Sequence, residues 1–263
     1  MPNRTHLVVP DAHVDPDVDN ERFTWLGRLI VDRQPDVIIQ MGDFSDMKSL
    51  SSYDKGRKDF EGRRYERDIS SANDALKRID DELKRHNENA RKSKKSQYKP
   101  RMVSLGGNHE EGRIARLVQL HPEFDGVFSV HQIKFLEYGW EYIPYEVPIE
   151  IDGIWYCHHF PTGVSGEPIS GANIGQSLIA KNMVSSTVGH SHVFDLAMRA
   201  TPSGKRIWGM SSGCYFEHKM PFARATQDRF WWAGVVFCKN VEDGDYSPEC
   251  LSMKEIKENY NNA

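Results

Sequence analysis

Short apolar runs, each closing on a polar turn, organise the first half of the chain. Leu7-Val8-Val9 lies in a run over 5–10 that ends at Pro10-Asp11-Ala12-His13. Val37-Ile38-Ile39 ends at Gly42-Asp43, and Met102-Val103-Ser104-Leu105 ends at Gly106-Gly107-Asn108-His109-Glu110. Runs this short and this apolar predict buried strands. Between the first two, Phe23, Leu26, Leu29 and Ile30 recur at helical spacing over 21–33, and Pro35 closes that helix. Between the second and third, a long helix is predicted from about 63 to 90. It carries Ile69, Ala72, Leu76, Ile79, Leu83, His86 and Ala90 at alternating steps of three and four. That stripe is as narrow as a coiled-coil seam. It packs either on its own domain or against a second copy, as the arm of a homodimer. Residues 92–99 read as a mobile loop.

Helices are predicted next at about 111–120 and 130–137. Beyond Trp140 the pattern turns to strands, at 140–145, 147–151, 154–157, 185–189, 193–199, 206–210 and 234–238, with one helix over 171–183. No internal repeat is present. A strand–helix half followed by a strand-rich half predicts an α/β fold of two packed sheets with helices outside. The expectation is one domain over 1–263, with a charged helical insertion at about 50–100.

Composition narrows the class. With 263 residues, 38% hydrophobic and 27% charged, the chain is globular and rather polar, and long enough for a sizeable core. No apolar run approaches the ~20 residues of a membrane span. The N-terminus is polar, so a cytoplasmic protein without a signal peptide is expected. Cys157, Cys214, Cys238 and Cys250 are scattered and form no CxxC pair, which suits reduced thiols. The net charge of -4 hides a basic segment. Lys84, Arg85, Arg91, Lys92, Lys94, Lys95, Lys99 and Arg101 crowd 84–101 with one acid, Glu88. Such a block is either a solvated helix end or an attractor of polyphosphates, nucleic acid included.

Polar residues of metal-ligand type close each predicted core strand. They are Asp11 and His13, then Asp43, then Asn108, then His158 in Trp155-Tyr156-Cys157-His158-His159, then His190 and His192 in Gly189-His190-Ser191-His192. A single histidine is more often a packed or surface residue than a ligand. Five separate elements ending this way are hard to explain by packing. Mixed Asp, Asn and His donors suit Mn, Fe or Zn and not calcium, and a bridging aspartate allows a two-metal site.

The blocks Asp11-x-His13, Gly42-Asp43-x-x-Asp46, Gly107-Asn108-His109-Glu110, His158 and Gly189-His190-x-His192 follow one another over 11–192. In these the chain resembles the calcineurin-like metallophosphoesterase superfamily. The resemblance implies a four-layer α/β/β/α sandwich around two divalent ions, Mn first, with Fe, Zn or Ni as alternatives. It implies that Asp11, His13 and His192 hold one ion, Asn108, His158 and His190 the other, and that Asp43 bridges them. His158 is preferred to its neighbour His159 because the family's ligand comes directly off the strand. His109 would face the ester as general acid or electrostatic clamp, oriented by Asp46. A hydroxide between the ions would attack phosphorus in line, and His109 would protonate the departing oxygen.

One departure bears on substrate. Where the protein-phosphatase branch has Arg-Gly, this chain has Met47-Lys48. Lys48 offers a point charge and not a two-pronged donor, and Arg113 is the substitute. A weaker grip on a dianionic phosphate favours a phosphodiesterase acting on nucleic acid or nucleotides. The alternatives are a phosphomonoesterase acting on phosphoproteins or small metabolites, and a non-catalytic scaffold that binds a partner through the 63–90 helix. Glu110 is expected to cap the following helix. Phe230-Trp231-Trp232 is expected to pack, and His218 is the one further histidine of interest.

Overall fold

Four parallel strands, side by side in chain order, carry the first half of the chain: β1 (Arg4–Val9), β2 (Val37–Gln40), β3 (Arg101–Leu105) and β4 (Trp140–Ile143). The computed structural model describes residues 4–52, 56, 58–162, 166–220 and 227–261. Two late strands extend the sheet on the far side of β1. These are β12 (Gly234–Glu242), antiparallel to β1, and β13 (Asp245–Ser252), antiparallel to β12. A second sheet has a parallel centre of β6 (Ile154–Tyr156), β9 (Ser185–Val188) and β11 (Arg206–Ser212). Its antiparallel edges are β5 (Ile149–Ile151) and β10 (Phe194–Ala200). The strand order across it is β10-β11-β9-β6-β5. A two-stranded hairpin, β7 (Pro161–Thr162) and β8 (Glu167–Pro168), stands apart.

The apolar runs are unbroken because the first sheet is covered on both faces. Successive side chains of a strand point to opposite faces. Val8, Ile39 and Val103 pack against Ile154, Tyr156 and Met210 of the second sheet. Leu7, Val9 and Ile38 pack with Phe23, Leu26, Leu76 and Ile79 on the helical side. The helices there are α1 (Glu21–Arg33), α2 (Tyr65–Lys92) and α5 (Met253–Tyr260). The helix α4 (Ile174–Asn182) contacts the second sheet. The molecule is therefore a mixed α/β structure of two mixed sheets with helices.

The expected insertion is the crossover that two parallel strands require. It joins β2 to β3, and its stripe enters the domain's own core: Ala72, Leu76 and Ile79 are at most 2% exposed. The narrow seam is thus covered by the same chain. Its beginning lies beside the loop after β2, where Ser49 N donates to Asp68 Oδ2 at 3.0 Å and Arg63 donates to Lys48 O at 3.0 Å. Twenty-eight residues later, about 42 Å along the axis, the helix ends near the beginning of the same strands. The loop expected over 92–99 is pinned there. Tyr98 donates its hydroxyl to Pro35 O at 2.6 Å, and Asn87 brackets the Tyr98 backbone at 2.8 and 2.9 Å.

Other differences are local. The helix expected over 130–137 is two 3-10 turns, Val130–Gln132 and Leu136–Tyr138. Ser129 caps the first and Gly139, at φ 79°, stops the second. The helix expected at 111–120 is α3 (Arg113–Leu120), preceded by a π-turn over Asn108–Gly112. The sequence pattern did not reveal β13 and α5, although Ser252-x-x-Glu255 is a capping box. All four cysteines are free thiols. Among the described residues no helix is long and apolar enough to cross a membrane.

The stripe's burial sets an expectation. Leu76→Ala should lower stability to urea by about 2–5 kcal/mol, whereas Lys92→Ala on the exposed end should change it by under about 0.5 kcal/mol. Equal, negligible effects would place the stripe outside the core.

Candidate metal centre

Five strands deliver polar residues from their C-terminal ends to one point, where open α/β sheets place ligands. The loops that carry them are tied by backbone bonds. Ala12 N and His13 N both donate to Asp43 O, at 3.1 and 2.9 Å. Tyr215 N donates to Asp11 O at 2.7 Å, Gly189 N to His158 O at 3.0 Å, and Trp232 N to His192 O at 3.1 Å. His13, Asp43, His190 and His192 all take left-handed backbone angles, φ 42°, 45°, 66° and 61°. Such angles are uncommon for non-glycine residues and cluster where structure around them fixes a site. Two glycines make the closeness sterically allowed. A Cβ on Gly107 would lie 2.1 Å from Asp43 N, and one on Gly189 would lie 2.1 Å from Asp11 Oδ1.

The side chains fall into two groups that meet at one carboxylate. Asp11, His13 and His192 form the first, with donor atoms within 4.8 Å of one another. His13 Nε2 is 3.0 Å from His192 Nε2, which is 3.3 Å from Asp11 Oδ2. The second group is Asn108, His158 and His190. Asn108 Oδ1 is 3.0 Å from His158 Nε2 and 2.9 Å from His190 Nδ1. Asp43 Oδ2 lies 3.7 Å from His13 Nε2 and 3.4 Å from His158 Nε2, within reach of both groups. His158 donates Nδ1–H to Met41 O at 2.8 Å, which leaves Nε2 as the atom that faces the others. His159 turns toward Tyr145 and Glu146, at 3.4 and 3.6 Å, although its ring is also close to His158 and His190.

Buried polar atoms without partners are costly, and this set could hold a cation. Asp11 Oδ1 is buried with no hydrogen-bond partner among the described residues. Burial pushes the Asp11 carboxyl up to about 6. Burial and neighbouring imidazoles depress His13 and His190 to about 4, and burial takes His192 to about 3. All three are therefore neutral at pH 7, the form that binds metal. Burial alone would raise Asp43, but His158, His109 and His13 hold it well below the ordinary carboxylate range. Burial alone would lower His158; the carboxylates of Asp43 and Asp11 outweigh it and raise it to about 10. The buried His and Asp groups fit the role of metal ligands by residue type, convergence and charge.

Next to this set, His109 donates Nδ1–H to Asp46 Oδ1 at 2.8 Å. Asp46 also receives His13 Nδ1–H at 3.3 Å, so it orients a donor of the first group as well. These two bonds outweigh burial and keep its carboxyl well below the usual range. Arg113 is anchored by Asp46 O and Met47 O at 2.5 and 3.1 Å, with Nη2 3.4 Å from His109 Nε2.

Lys48 does not join them. It is paired with Asp15 and lines a separate cavity with Arg63, Arg67 and Asp68. Glu110 caps the helical turn that begins after Gly107, as expected, and lies fully buried beneath the loops. It accepts from Gly107 N–H at 3.0 Å and Phe44 N–H at 3.4 Å. Burial, then Asp43, raises its pKa well above the ordinary value, favouring the neutral acid. Trp231 packs edge-on to His192 at 4.6 Å. Phe216 stands 4.9 Å from His218 and 5.2 Å from both His13 and His192, so His218 meets the donors across that ring.

No family model matches the chain, and no curated protein matches it. Among solved structures, TT1561 of Thermus thermophilus is similar over 95% of this chain and 99% of its own, with 8% identity and a TM-score of 0.40. A second solved structure covers the same shares with 11% identity and a TM-score of 0.37. Likeness at that level does not bear on the chemistry of this chain.

The raised His158 value sets the sign of a pH effect. At pH 7 the metal-free imidazole carries a proton that a ligand nitrogen must lose, so metal binding should release it. Apparent metal affinity should therefore strengthen from pH 7 toward about 10, by up to roughly tenfold per unit. Calorimetry in buffers of different ionisation enthalpy measures the release. A pH-independent affinity would remove His158 from the ligand set.

Proposed function

We propose that the chain is a metal-dependent phosphoric ester hydrolase of the calcineurin-like metallophosphoesterase type, acting on phosphodiesters of nucleic acid or nucleotides. The two packed sheets with helices support reading the fold as that family's four-layer α/β/β/α sandwich. The observation that carries the proposal is the meeting of both donor groups at Asp43 Oδ2, with His109 beside it at 3.9 Å. Two divalent ions, Mn first, would be held by Asp11, His13 and His192 and by Asn108, His158 and His190, with Asp43 between. They would supply Lewis acidity and an acidified water.

The chain's own residues do the rest. Asp46 fixes the His109 ring through Nδ1–H so that Nε2 is the nitrogen turned toward the site, and the imidazolium form would pass its Nε2 proton to the departing oxygen. Arg113 presents its remaining N–H groups beside that nitrogen. Its two carbonyl contacts hold the guanidinium in place before any ester arrives. The diester preference follows from charge. Lys48 is engaged by Asp15, so Arg113 is the cation beside His109. A single guanidinium suits a monoanionic diester better than a dianionic terminal phosphate.

Reconstituted with Mn²⁺, the protein should turn over a bis-aryl phosphate in preference to a mono-aryl phosphate. A wide preference for the mono-ester would overturn the diester reading. Asp43→Ala should lose both metal and turnover. His109→Ala should keep its metals while kcat falls by about 10²–10⁴. An emptied metal site in His109→Ala would make that histidine a ligand.

A further inference from the structure

Against the loop of Asn108 and His109 opens a cavity of about 340 Å³. One wall is α3, running from Arg113 beside His109 to Leu120, which is 65% exposed. Arg116 also lines it and has no hydrogen-bond or ion-pair partner among the described residues. Arg113 and Arg116 are three residues apart, hence on one face of the helix with Cβ atoms about 5–6 Å apart. Leu50, Leu117 and Tyr145 also line the cavity.

We infer, resting on the hydrolase reading above, that this cavity is the leaving-group subsite and takes a single nucleotide unit whose far phosphate is held by Arg116. Three features select that chemistry. The solvent-exposed guanidinium of Arg116 is free to take an anion beyond the one at Arg113. The apolar and aromatic walls ask for a planar body, and a tyrosine ring can stack with any base. The volume is at the small end for ligand pockets, enough for one nucleoside and not for a duplex. A plain aryl or lipid ester would leave Arg116 without a partner, and a sugar phosphate would leave the leucines without one. In the reaction the P–O bond to this nucleotide breaks as a bond from the oxygen of water to phosphorus forms. The leaving oxygen takes the proton of His109 Nε2, and the proton that the water gives up returns to His109 through solvent.

Two measurements test it. The first is binding of thymidine 3′- and 5′-monophosphates, followed by calorimetry with and without Mn²⁺. Arg116→Ala should weaken the better of the two about tenfold or more, while Arg91→Ala at the far end of α2 should not. The second is turnover of a phosphorylated thymidine dinucleotide beside bis(4-nitrophenyl) phosphate. Arg116→Ala should cut kcat/KM on the dinucleotide about tenfold or more and change the aryl diester less than about twofold. Absence of nucleotide binding, or an equal loss on both esters, overturns the subsite. If wild type turns over neither ester yet binds the nucleotide through Arg116, the hydrolase reading fails and the nucleotide site stands.

Discussion

Asp43 is an ionised carboxylate with almost no access to water, and the loops around it are built to keep it so. Taking such a charge out of water costs several kcal/mol unless it is compensated. The compensation comes from three separate elements. His109 N–H donates to Oδ1 at 2.8 Å, and the imidazoles of His158 and His13 stand at 3.4 and 3.7 Å from Oδ2. The backbone carbonyl of the same residue receives Ala12 N–H and His13 N–H. Each partner arrives from a different strand. Folding of the whole C-terminal edge of the sheets is therefore a condition for burying this one charge, and the buried charge in turn holds that edge in register.

The same constraint explains the backbone strain. A side chain leaving a strand points up or down the pleat, whereas the donors must point forward, off the strand ends, into one small volume. Left-handed angles at His13, Asp43, His190 and His192 make that turn. Each costs on the order of 1–2 kcal/mol for an L-residue, which the loop-to-loop backbone bonds offset. A cation among the donors would take the lone pairs that now face one another, including the one shared between the His13 and His192 nitrogens at 3.0 Å. Strain and convergence together argue for a prepared site more strongly than either does alone.

Much of this was legible in the chain, because strand ends are local features. An apolar run followed by a polar turn says where a side chain emerges, and seven such residues converge as that pattern predicts: Asp11, His13, Asp43, Asn108, His158, His190 and His192. What was not legible depends on partners distant in sequence. Lys48 reads as a phosphate ligand until Asp15, 33 positions earlier, is found to engage it. Glu110 does cap the turn after Gly107, but its burial beneath Phe44 is set by the neighbouring loop and is not written in the motif. The narrow stripe of α2 left two partners open, since periodicity gives a face and not what covers it. The turns at 130–138 kept apolar spacing without helical backbone, as Ser129 and Gly139 interrupt them.

The placement of charge carries the last step. Segment 84–101 is the most basic stretch of the chain, yet it lies at the edge of the first sheet opposite the donors. The five residues of β3 and the turn beyond them separate Arg101 from Asn108 by more than about 15 Å. Screening in ordinary salt acts over about 8–10 Å, so Lys92, Lys94 and Lys95 add little to the field at the donor set. In that block Lys84, Arg85 and Arg101 are further neutralised by Asp80, Glu82 and Glu141. Under the proposed function, charge recognition at the site would come from close cations, and Arg113 and Arg116 lie on one helix face beside it. Under the proposed hydrolase function, any contact of the distant block with a polyanion would tether a long substrate without selecting the bond to be broken.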